Sequence, residues 1–150
     1  MRNTILAFLA GVLLGGGATW LWFSGPASVV ERPLEDTDAP PSALTESVSV
    51  SNQSAGITVL VDSVTLAASS WVAIHENEGG QPGNILGAQR FDAGEHTGTV
   101  DLLRGTVPGG SYFAMIHRDN GDGAFSPASD VPVSGSDGNI IMATFAALSE

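Results

Sequence analysis

The sequence reads as all-β: an immunoglobulin-like sandwich of about seven strands, preceded by one N-terminal transmembrane helix. Three observations carry that reading. Short apolar runs beyond residue 46 alternate and are rich in β-branched residues. Turns rich in Gly, Pro and Asn separate them. Ahead of both, residues 4–23 carry no charge at all. Three sections follow: an anchor at 1–23, a linker at 24–46 and a β domain at 47–150.

The anchor is "TILAFLAGVLLGGGATWLWF". Twenty residues of helix rise about 30 Å, the thickness of a bilayer's hydrocarbon core. Arg2 stands before the run, and 16 acids against four arginines follow it. The positive-inside rule then leaves the N-terminus in the cytoplasm and the domain outside. Trp20 and Trp22 fall at the far end, where indoles settle at the membrane interface. The competing reading is a cleaved signal peptide, with small residues at 16–18 or 25–27 as the cleavage site. It yields a secreted protein in the same compartment. Gly11 and Gly15 form a G-x-x-x-G pair, which points to a helix-mediated dimer, although glycine is common in membrane helices anyway.

Residues 24–46, "SGPASVVERPLEDTDAPPSALTE", hold four prolines and five acids with no periodicity. Such a segment is a solvated spacer. The acidic excess extends through the domain, and the chain has no lysine. Nothing here forms a basic stripe, so nucleic acid is excluded as a partner. Cysteine is absent too, which removes disulfides, thiolate metal sites and a thiol nucleophile.

The strands follow in order. Residues 48–53 and 57–66 alternate, the second with β-branched residues throughout. Residues 71–77, 85–91, 97–103, 111–117 and 140–147 bring the number to seven. Trp71 on the third run is the natural core aromatic. Val59, Val61, Trp71, Ala73, Tyr112, Ala114, Ile116, Met142 and Phe145 are the candidate inward positions. Asn52-Gln53-Ser54 is a glycosylation sequon in a polar turn, a three-residue pattern that chance often supplies.

The pieces "WVAIHENEGG", "FDAGEH" and "YFAMIHRDNGDGAFSPASDVPV" resemble a family of unknown function. Its members are modules of roughly a hundred residues in exported or surface-anchored archaeal and bacterial proteins. The family repeats an aromatic-then-"IH" strand, a "G-x-H" turn, and a segment of the form "MLH-x-D-x-G-D-G-x-F" that ends in "D-x-P-V". Ile116 replaces the usual leucine before His117, while Asp119, Gly121, Asp122, Gly123, Phe125, Asp130, Pro132 and Val133 fit. The resemblance covers residues 48–147. It implies a β-sandwich outside the cytoplasm and brings no activity with it.

The chemistry concentrates in "HRDNGDGAFSPASD", residues 117–130. Asp119, Asn120, Asp122 and Asp130 offer the oxygen donors of a calcium site. In an EF-hand register from Arg118, Asn120, Asp122, Gly123 and Phe125 fall correctly. The outer positions fail: the first is an arginine and the last is Ser129, with Asp119 and Asp130 each one residue late. Asn-Gly and Asp-Gly are also what a turn with positive φ requires, so plain turn chemistry is the leading reading and calcium the second.

The histidines invite a metal as well. Strand ends at opposite poles should keep His75 far from His117, leaving His96 and His117 as the pair, with Met115 as a soft third donor for copper. Catalysis has no support. Neither a G-x-S-x-G elbow, H-E-x-x-H, nor a phosphate loop is present. The expected protein is therefore no enzyme but a membrane-tethered module with a structural or binding role toward an unidentified protein or surface. A metal-binding exported domain, calcium or copper, is the alternative. No cofactor is assigned beyond calcium.

Overall fold

The computed structural model describes residues 44–149. The expected anchor and most of the linker lie outside them. Eight strands form: β1 (Ser47–Ser49), β2 (Gln53–Ser54), β3 (Thr58–Leu66), β4 (Ser70–Glu78), β5 (Gln81–Phe91), β6 (Gly94–Asp101), β7 (Ser111–Arg118) and β8 (Met142–Leu148). They make two sheets, ordered β1-β3-β6 and β2-β8-β7-β4-β5. No helix occurs among the described residues, and none there could cross a membrane.

The run expected at 48–53 is two strands. Val48 pairs with Val64 in the small sheet, while Gln53 lies parallel to Ala147 in the large one. The chain thus changes sheets at Val50, which is buried in the core. One alternating hexapeptide cannot announce such a switch, because both halves keep the same period. The β4–β5 hairpin turns on Gly79 and Gly80, both at positive φ, the conformation a two-residue loop needs.

Valines dominate the core between the sheets. Val59, Val61, Val64, Leu66 and Val100 from the small sheet meet Val72, Ile74, Leu86, Tyr112, Ala114, Ile116 and Phe145 from the large one. A register shift between Val61 and Val64 lets both face inward despite their odd spacing. Where β5 crosses toward the small sheet it comes close to β6. A Cβ on Gly87 would collide with the Asp101 carbonyl oxygen, so only glycine fits.

Three expected inward positions need correction. Trp71 and Ala73 are buried but lie on the outer face of the large sheet; Val72 and Ile74 face the core instead. Met142 is 41 % exposed. Alternation failed on β4 because both of its faces are covered, so apolar residues occupy successive positions.

The two poles differ. The chain enters at the pole that carries the ends of β3, β5 and β7, where Arg118 makes a two-pronged bond to Glu46 at 2.8 and 2.9 Å. The opposite pole gathers Ala55–Ile57, the β6–β7 loop and the end of β8, joined by backbone bonds from Thr106 to Gly56 and from Gly109 to Ala147. Ile57, Leu103 and Val107 stand exposed there, Leu103 at 97 %.

Candidate functional site

Alternation along β4 and β7 places Trp71, Ala73 and His75 beside Phe113, Met115 and His117 on the outer face of the large sheet. A sheet face so apolar must be covered. The loop from Asp119 to Val131 covers it. Phe125 packs against the Trp71 and His117 rings, with centroids 5.5 Å away in each case.

Aspartates hold the loop in shape. The Asp130 side chain is fully buried and accepts the backbone N–H groups of Asn120 at 3.0 Å and Ser126 at 2.7 Å. Asp119 accepts from Gly121 N–H and from Arg90 Nε, the latter at 2.6 Å. Arg90 first, and the Gly121 N–H second, hold the Asp119 carboxyl below its ordinary range. Asp122 accepts from Ala124 N–H and from the Asn120 amide, whose own oxygen accepts from Asp122 N–H. Gly121 and Gly123 adopt positive φ.

The four residues expected to ligate calcium are therefore neighbours in one loop, and all seven of their side-chain oxygens accept from protein donors. An incoming cation would compete with those donors. This is the turn chemistry of short polar residues bonding the backbone two positions on.

The histidine expectation needs correction. His96 lies on β6 in the small sheet and is bonded through Nε2 to its own turn at Ala93. His75 and His117 meet instead: their Nε2 atoms are 3.2 Å apart. The Cα positions are indeed distant, since His75 registers with Phe113 and His117 with Trp71. The rings lean toward each other across the Ala73–Met115 pair, where Ala73 leaves room. Adjacency of the two strands, had it been read together with their shared face, was the available signal.

Each Nδ1 of the pair is tied down. That of His75 donates to the Gly83 carbonyl at 3.1 Å, and that of His117 to the Asp130 carbonyl at 2.7 Å. Burial lowers both imidazole pKa values; the bonds to the Gly83 and Asp130 carbonyls oppose it in part. Burial thus favours the neutral form of both rings. The buried Trp71 indole N–H makes no hydrogen bond of good geometry, but it lies near enough to the Asp119 carboxyl to help hold it down.

An all-β module of two sheets sharing one valine-rich core, with the outer face of the larger sheet roofed by an aspartate-braced loop, is the class these features define. The chain belongs to the family described as a domain of unknown function, DUF7282, whose model spans residues 46–147. Neither a curated protein nor a solved structure matches the chain.

Proposed function

We propose that this chain is a membrane-tethered module that displays an immunoglobulin-like sandwich outside the cytoplasm and binds a partner protein there. The observation that carries the binding role is the apolar pole. Ile57 and Leu148 line a depression of about 490 Å³ opposite the end where the chain enters the domain, and Leu103 and Val107 stand exposed in the β6–β7 loop at the same pole. Exposed apolar clusters on an otherwise acidic protein mark contact surfaces.

Two details support the immunoglobulin-like reading. The sheet orders β1-β3-β6 and β2-β8-β7-β4-β5, with β2 parallel to β8, fit a two-sheet Greek-key arrangement. Tyr112 at the start of β7 accepts the Val107 N–H, five residues upstream, at 2.8 Å. That is the tyrosine corner of such folds. The uncharged run at 4–23 and the acid excess after it support the tether and the topology.

Because the chain has no cysteine, Leu103→Cys supplies one unique thiol at the apolar pole. A membrane-impermeant maleimide applied to intact cells should label full-length protein in the membrane fraction. Labelling only after lysis would refute external display, and recovery of a shortened soluble form would refute the anchor. Labelling in cells should also be slower than on purified protein, since a bound partner shields the pole.

A further inference from the structure

The His75–His117 pair poses a problem of proton placement. Backbone carbonyls only accept, so both Nδ1 atoms carry the ring hydrogen. In neutral rings both Nε2 atoms are then bare acceptors. The ring planes lie within 15° of each other, with centroids 5.3 Å apart. The centroid distance of 5.3 Å exceeds the Nε2 separation of 3.2 Å by 2.1 Å, about one ring width. Both nitrogens therefore lie near the line between ring centres, and their lone pairs point at one another. His75 is 6 % exposed and His117 2 %, so water does not supply the missing donor. Two buried acceptors face to face are costly unless something positive lies between them.

The surroundings select the cation. Met115 is buried on the same face, in register between the two histidines. Ala73, Trp71 and Phe125 complete an apolar shell. Among the described residues no group of three or more His, Cys, Asp or Glu side chains gathers around a common point. A divalent ion here would leave two uncompensated charges in an apolar site, whereas a monovalent one leaves a single charge. Neutral imidazoles and a thioether are the ligands that suit soft, monovalent copper. A nitrogen–metal bond of about 2.0–2.1 Å sets two ligating nitrogens roughly 3.3 Å apart at a tetrahedral angle and about 4.1 Å apart in line. Because the lone pairs face each other, the in-line spacing applies, and the rings must part from 3.2 Å by about 0.9 Å to admit the ion. A ligating imidazole ordinarily donates its other N–H to a carbonyl or carboxylate, as both do here.

We propose that His75 and His117 bind one monovalent copper ion between their Nε2 atoms, with the Met115 thioether as the flanking soft donor. The Phe125 roof keeps water and oxidants from the ion. The site is independent of the display role and needs only the folded domain.

The test is an anaerobic titration of the full chain in detergent micelles with copper(I) held by a colorimetric chelator. The protein should withdraw one equivalent from the chelator. With histidine-selective ¹⁵N labelling, the Nε2 signals of His75 and His117 should shift and that of His96 should stay. His75→Gln should lose the ion to the chelator, and His96→Gln should retain it. A chelator that keeps all its copper would overturn the proposal. So would copper uptake that leaves both Nε2 signals unmoved, or a proton found shared between the two rings that copper(I) does not displace. The labelled wild-type protein decides the question even where a substituted chain fails to fold.

Discussion

His117 Nδ1 donates to the backbone carbonyl of Asp130 across 2.7 Å, which ties the last turn of the covering loop to the centre of the large sheet. The same residue's carboxylate gathers the N–H groups of Asn120 and Ser126, so one buried aspartate closes the loop on both sides. Loop and sheet face are consequently one unit. The roof over the histidine pair stands only while Asp130 holds it.

Asp130→Ala should therefore be among the costliest polar substitutions in the domain. It strands two N–H groups and removes a buried acceptor, a loss of about 2–4 kcal/mol. Asp130→Asn keeps one acceptor oxygen and should cost less. Urea midpoints of the two variants check the order; equal midpoints would show that the carboxylate is not the brace.

Trp71 makes a different case. Its buried indole N–H makes no hydrogen bond of good geometry and only helps lower the Asp119 carboxyl, while its ring packs against Phe125. Trp71→Phe keeps an aromatic ring and deletes only a weakly engaged donor, so its cost should stay within about 1 kcal/mol. Trp71→Ala empties the space under the roof and should cost about 3–5 kcal/mol. Thermal denaturation separates them, and a phenylalanine variant as damaged as the alanine one would mean the indole N–H has a partner in solution.

At Gly87 the limit is distance. Gly87→Ala forces a methyl against the Asp101 carbonyl, where overpacking of about 1–3 kcal/mol or more is expected. Gly121→Ala, in open space at φ 95°, meets only backbone strain and should cost about 1 kcal/mol. Denaturant midpoints in which Gly121→Ala is the worse of the two would contradict the close approach of β5 and β6.

The Arg90–Asp119 bond predicts an acid-side dependence. The folded Asp119 carboxyl lies below its ordinary value of 3.8, so the unfolded chain takes up the proton first. Its contribution is whole above the unfolded value and drains away as pH falls through the folded one. Asp119→Asn should be less stable than the parent at about pH 6, and the gap should narrow as pH falls below 3.8 toward the lowered folded value. A gap that persists unchanged in acid would show that the ion pair is not its source. The aspartate side chain is only 3 % exposed, which limits screening by salt on that side of the pair.

Much of this architecture was legible before any coordinates. The runs at 57–66 and 111–117 read as strands because alternation with β-branched and aromatic residues leaves few other conformations. The inward set Tyr112, Ala114 and Ile116 followed from period two alone and stands in the core. On β4 the same reasoning chose the wrong face, since a strand buried on both sides offers no polar phase to read. Turn chemistry in 119–123 was legible for a local reason: asparagine, aspartate and glycine bond or bend the backbone within two residues of themselves.

By itself, the sequence determined what depends on near neighbours: strand periods, turn positions, an uncharged N-terminal run and a surface rich in acid. Only the tertiary structure decided which strands lie side by side, and with that which histidine meets His117. That choice rests on contacts between residues 42 positions apart. Its energy comes from burying two sheet faces and a roof at once, and no local pattern encodes that sum.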